Sequence, residues 1–126
     1  MNRIIFESTS ETPEVIIDPA NGTINISGDS HPENTKVFYE PIISHAKDLI
    51  ADTDKEIILV KIHFRYLNSA SSKYIREFVI AIDETADENK KKAHIQWMYD
   101  EDDIDMEEQG EDIFEGINCK TELIEA

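Results

Sequence analysis

The chain has 126 residues, 40% of them apolar, which is enough for one core and too few for two. Lys and Arg total 12 against 28 Asp and Glu, and the resulting charge of −16 argues against nucleic acid or an anionic membrane surface as partner, because like charges repel. One cysteine, Cys119, excludes an internal disulfide and a multi-cysteine metal site.

The longest aliphatic run, Ile57-Ile58-Leu59-Val60, is far short of the ~20 residues that cross a bilayer. The first ten residues lack the apolar stretch of a secretory signal, so a cytoplasmic location is expected. In chain order, residues 3–7, 14–18 and 23–27 read as short strands. The last two are joined by Pro19-Ala20-Asn21-Gly22, whose Asn-Gly end is a hairpin signal because both residues tolerate positive φ. Ser30-His31-Pro32-Glu33 fits a capping box, and Val37, Phe38, Ile42, Ile43, Ala46, Leu49 and Ile50 recur at helical spacing after it. Pro41 inside that pattern is expected to kink the helix or divide it.

Residues 57–67 form the clearest strand. Its alternation places Ile58, Val60, Ile62, Phe64 and Tyr66 on one face, with Ile57, Leu59, Lys61, His63, Arg65 and Leu67 on the other. Asn68-Ser69-Ala70-Ser71-Ser72 breaks it, and Ile75, Phe78, Val79, Ile82 and Ala86 predict a helix over residues 73–86. Residues 93–99 alternate as a strand, residues 107–116 predict a third helix, and residues 120–124 a closing edge strand. Strands alternating with helices imply right-handed crossovers and parallel pairing, while the hairpin makes the sheet mixed. The face carrying Thr23, Asn25, Ser27, Lys61, His63, Arg65, His94 and Gln96 is too polar for a second helical layer. The expected fold is a single α/β domain over residues 1–126, in two layers: a mixed β-sheet with helices packed on one face.

Residues 100–115 hold ten acids and no Lys or Arg, so most of the charge surplus lies in one segment. An EF-hand loop beginning at Asp100 would put Asp105 where the tight turn needs Gly, so a solvated acidic helix and loop is the better reading. His31, His45, His63 and His94 show no metal-ligand spacing, although His63 and His94 share a sheet face if their strands are neighbours. The chain has no G-x-S-x-G, H-E-x-x-H, Walker or G-x-G-x-x-G motif, and Cys119 reads as a packed thiol. No metal, cofactor or catalytic residue is expected, and the chain reads as non-enzymatic.

The informative segment is the junction Tyr66-Leu67-Asn68-Ser69-Ala70-Ser71-Ser72-Lys73. A single serine is accounted for by N-capping. Three hydroxyls where a buried strand meets an amphipathic helix also suit phosphorylation, since a phosphate there meets the helix dipole and free backbone donors.

Five ordered blocks carry a family resemblance: Ser10-Glu11-Thr12-Pro13-Glu14-Val15, Gly28-Asp29-Ser30-His31-Pro32-Glu33-Asn34, Phe38-Tyr39-Glu40-Pro41, Tyr66-Leu67-Asn68-Ser69-Ala70-Ser71 and Trp97-Met98-Tyr99-Asp100-Glu101-Asp102-Asp103. Together they resemble the SiaC family of bacterial regulatory phosphoproteins. The resemblance implies a fold like the STAS domain of anti-sigma-factor antagonists. It further implies a partner-switching role: a cognate serine/threonine kinase phosphorylates the protein, a PP2C-type phosphatase restores it, and the unmodified form binds and activates a diguanylate cyclase in cyclic-di-GMP and biofilm signalling. The family's acceptor, usually a Thr after Leu-Asn, falls on Ser69, with Ser71 and Ser72 as alternates. Asn68, Ser69, Ala70, Ser71 and Lys73 form the expected partner-binding surface. Lys73, one turn beyond Ser69, is placed to pair with a phosphate. Rival readings are an acidic interaction domain without switching, an anti-sigma-factor antagonist acting on another effector, and a small metal protein or enzyme built on His63, His94 and the acids.

Overall fold

The computed structural model describes residues 2–126. Six strands and three helices follow in the order β1 (Ile4–Phe6), β2 (Glu14–Asp18), β3 (Thr23–Ser30), α1 (Thr35–Asp52), β4 (Ile57–Leu67), α2 (Ser69–Glu88), β5 (Lys92–Tyr99), α3 (Ile104–Phe114) and β6 (Lys120–Glu125). The strands lie side by side in sequence order; β1, β2 and β3 pair antiparallel, and β3, β4, β5 and β6 pair parallel. Gly22 adopts φ 66° in the β2–β3 turn, and a Cβ there would lie 2.9 Å from the Lys55 Cβ, so the hairpin needs glycine on both counts.

Val15, Ile17, Ile24, Ile26, Ile58, Val60, Ile62, Phe64, Ile95 and Trp97 are fully buried on one side of the sheet. Above them α1, α2 and α3 pack side by side as one layer. Each parallel crossover leads to the next strand over, so right-handed connections put every helix on this same face. Across the other face run the rows Ile16–Asn25–Lys61–Gln96–Glu122 and Thr23–Leu59–His94–Lys120. The two-layer expectation and the mixed pairing therefore match the structure.

Local boundaries differ. Ser30 does not cap α1: it stays in β3 as the partner of Leu67, and Asn34 caps the helix by accepting from the Val37 amide at 3.2 Å. Pro41 does not divide α1, which runs unbroken over 18 residues. Pro41 is exposed, so water can serve the carbonyl that its missing N–H leaves free. α2 begins four residues earlier than the apolar stripe suggests, and α3 three residues earlier, because Asn68 and Asp103 cap them.

The alternation in β4 also breaks. A bulge between Gly28 and Asp29 shifts the pairing so that Phe64 faces Gly28 but Tyr66 faces Asp29, leaving Arg65 unmatched. Beyond that extra residue the faces exchange: Leu67 is buried and Tyr66 is 53% exposed, the reverse of the uninterrupted pattern.

Candidate functional site

β3, β4 and β5 run parallel and each feeds a helix, so the N-termini of α1, α2 and α3 gather at one end of the sheet. Asn34, Asn68 and Asp103 cap them alike, each side chain accepting from the amide three residues on: Val37, Ser71 and Met106. The β1–β2 loop reaches the same end, where the Glu11 carbonyl accepts from the His31 amide at 2.8 Å. Carboxyl ends of parallel strands are where open α/β sheets present ligand and partner sites.

The junction serines have three different environments. Ser69 is the first residue of α2 and is exposed, as is Ala70 beside it. Ser71 is fully buried and its Oγ accepts from Ser30 Oγ at 2.8 Å. Ser72 is half-buried, and its hydroxyl donates to Gln109 Oε1 of α3 at 2.9 Å. Lys73 is exposed, lies 5.9 Å from the Tyr74 ring centroid, and takes part in none of the ion pairs among the described residues. Asn68, intermediate in exposure, ties this turn to the sheet: its amide donates to the Ser30 carbonyl at 3.1 Å while its side chain caps α2.

Behind Ser69 lies a buried hydroxyl cluster of three residues well separated along the chain, Ser30, Tyr39 and Ser71. Ser30 spends its proton on Ser71, so the Tyr39 hydroxyl donates to Ser30 Oγ. Burial is the main cause that pushes the Tyr39 phenol up to about 12, against a smaller downward pull from its hydroxyl neighbours. The cluster joins β3, α1 and α2 at their common end. Continuing the Ile24, Ile26 alternation to Ser30 would have marked that residue as inward-facing.

Three large apolar side chains stand exposed at this end or on the strand leading to it: Val37 in the first turn of α1 (66%), Tyr66 near the end of β4 (53%) and Ile104 opening α3 (64%). Polar pairs accompany them. Arg65 donates to both carboxylate oxygens of Asp29 at 2.9 and 2.5 Å, and this hydrogen bonding holds the Asp29 carboxyl below its usual range. His31 packs edge-on to Tyr66, centroids 5.6 Å apart.

His63 and His94 do share the open sheet face, each bonded to its own carboxylate: His63 to Asp100 at 2.8 Å, His94 to Glu122. The His94 hydrogen bond is the main cause that lowers the Glu122 carboxyl. Among the described residues no group of three or more His, Cys, Asp or Glu side chains is arranged to hold a metal ion. Cys119 is half-buried, and burial together with the Asp83 carboxylate raises its thiol to about 11, leaving it protonated at neutral pH. No helix among the described residues is long and apolar enough to cross a membrane.

A family model described as SiaC family regulatory phosphoprotein matches residues 6–126. An uncharacterized protein of Pseudomonas aeruginosa (strain UCBPP-PA14) is 26% identical over 100 residues, covering 79% of this chain and 78% of that one. Among solved structures, SiaC of Pseudomonas aeruginosa superposes with a TM-score of 0.88 at 22% identity over the whole of both chains. A crystal structure of the diguanylate cyclase SiaD in complex with its activator SiaC, from the same organism, gives the same TM-score and identity over 98% of this chain and 99% of that chain.

Proposed function

The chain belongs to the SiaC family of regulatory phosphoproteins, and on that premise we propose that it is a partner-switching regulator whose toggle is the Ser69 hydroxyl. In its unmodified form it docks on and activates a diguanylate cyclase through the carboxyl end of the sheet. A cognate serine/threonine kinase phosphorylates Ser69, a PP2C-type phosphatase removes the phosphate, and the phosphorylated form lets the cyclase go.

The observation that carries this reading is the difference among the three serines. Ser71 is sealed and Ser72 is bonded across to α3, whereas Ser69 faces solvent at the first position of a 20-residue helix. A phosphate at Ser69 would gain the dipole of α2 and, one turn on, the unpaired Lys73. It therefore need not unfold the domain. It would add nearly two negative charges and four heavy atoms where small side chains, Ser69 and Ala70, now allow a partner's backbone to approach. The exposed Val37, Tyr66 and Ile104 supply apolar area for the docked state.

Expressing Ser69→Asp and Ser69→Ala chains in the host tests this. Cyclic-di-GMP rises with Ser69→Ala and falls with Ser69→Asp, and the cyclase co-purifies with the former only. Equal cyclase recovery and equal cyclic-di-GMP with both variants contradict it.

A further inference from the structure

Among the described residues β6 pairs only with β5, so its outer side has no neighbour in the sheet. Its backbone polarity can be assigned. Ala126 donates its amide to the Tyr99 carbonyl of β5, so by two-residue alternation the amides of Thr121, Leu123 and Glu125 point outward. Alongside, on the helix face, an open groove of about 430 Å³ is lined by Thr121 and Leu123 of β6 and by Glu111, Asp112, Phe114 and Glu115 at the end of α3. Leu123 is 36% exposed and Phe114 half-buried, so the groove has an apolar floor. Its three carboxylates and that of Glu125 join no ion pair among the described residues.

We propose that this edge and groove accept an extended, basic segment of a partner protein as a seventh strand. The outward amides and carbonyls of β6 give the main-chain ladder. Alternate side chains of the added strand fall on the helix face, where apolar groups meet Phe114 and Leu123 and Lys or Arg meet Glu111, Asp112 and Glu115. Charge selects the occupant. A second copy of this chain would bring the same carboxylates against each other on two molecules of charge −16 each. Lys120, Glu122 and Glu125 on the strand itself also discourage self-pairing, as charged residues on natural edges do. The surface lies at the far edge of the sheet from β1 and does not depend on the state of Ser69.

The probe is a capped peptide of about eight residues in which Val and Lys take turns at every second position with Thr between them, so that both types share one face, and its length matches an ordinary strand. Titrated into the intact chain, it binds saturably and shifts the backbone amide resonances of β6 and the end of α3. A peptide of the same charge, N-methylated at every second residue on the edge-facing side, binds roughly tenfold more weakly or worse, because it cannot build the ladder. The variant Glu111→Gln, Asp112→Asn, Glu115→Gln also loses roughly tenfold in affinity or more. That variant keeps its fold, since removing acids from a helix C-terminus relieves the dipole. The proposal is overturned by equal binding of the N-methylated peptide, by shifts away from β6 and α3, by absence of saturable binding, or by a peptide-free dimer that sedimentation and β6 shifts trace to this edge.

Discussion

Ser69, Ser71 and Ser72 occupy one turn of helix, yet their neighbours set them apart, and the side chains around them make that separation testable. Tyr39→Phe removes one hydrogen bond from the sealed cluster behind Ser69 while leaving the Ser30–Ser71 bond, and it should cost about 1–2 kcal/mol in urea unfolding at pH 7. The same residue gives a pH signature. The folded-state phenol is raised from 10.0 to about 12, so folding holds the proton more tightly than the unfolded chain does. This contribution is whole below pH 10 and is lost as pH rises through the folded value. Wild-type stability, measured by urea unfolding at intervals from pH 9 to pH 11.5, therefore falls more steeply than that of Tyr39→Phe; parallel curves would show that the phenol is not held as described.

At the scale of elements, the helix ends explain both what the sequence showed and what it concealed. Neither α1 nor α3 has a basic residue in its last turn, and each borrows one from a neighbour. Lys91 Nζ donates to the Ile50 and Thr53 carbonyls at the end of α1, and Arg76 donates to the Ile113 and Glu115 carbonyls at the end of α3. At the other ends the caps are local, and Asn68→Ala should cost about 1 kcal/mol while Asn68→Ser restores most of it, read by thermal or urea unfolding. Gly110 is where α3 approaches the sheet: a Cβ there would lie 2.5 Å from the Trp97 ring and 2.7 Å from Leu123. Gly110→Ala gains up to about 1 kcal/mol of helix propensity but overpacks a buried tryptophan at about 1–3 kcal/mol, so net destabilisation is expected in urea unfolding.

Periodicity marked the strands and helices because the core face demands it, and hence the two-layer order was legible. The Gly28/Asp29 bulge was not, since it arises from pairing between β3 and β4 and leaves no mark in the alternation of either strand. Ser30 was misread for a related reason: Ser30-His31-Pro32-Glu33 satisfies a local capping pattern, but the strand carries Ser30 into the core, where Tyr39 and Ser71 claim its hydroxyl. The junction itself was visible as three hydroxyls at a boundary. Which of them faces water was decided by Ser30 of β3 and Gln109 of α3, residues distant in sequence.

Over the whole molecule, a surplus of sixteen negative charges is carried mostly by residues 100–115, which run from the turn before α3 along the length of that helix. Self-repulsion of that size is screened by salt, so the unfolding midpoint should climb as NaCl goes from about 0.01 to about 0.15 M, over which the Debye length shrinks from roughly 30 to 8 Å. A flat midpoint would mean that the acids are already compensated in the fold. The carboxyl end of the parallel strands brings together Ser69, the exposed apolar side chains and three helix N-termini, and there the proposed exchange of partners takes place. The decisive measurement uses the chain carrying phosphoserine at position 69, installed during synthesis, beside the unmodified chain. Both are titrated against the host's diguanylate cyclase, with binding and cyclic-di-GMP formation followed together. The unmodified chain is expected to bind and stimulate and the phosphorylated chain to do neither, whereas equal stimulation by both would contradict the account.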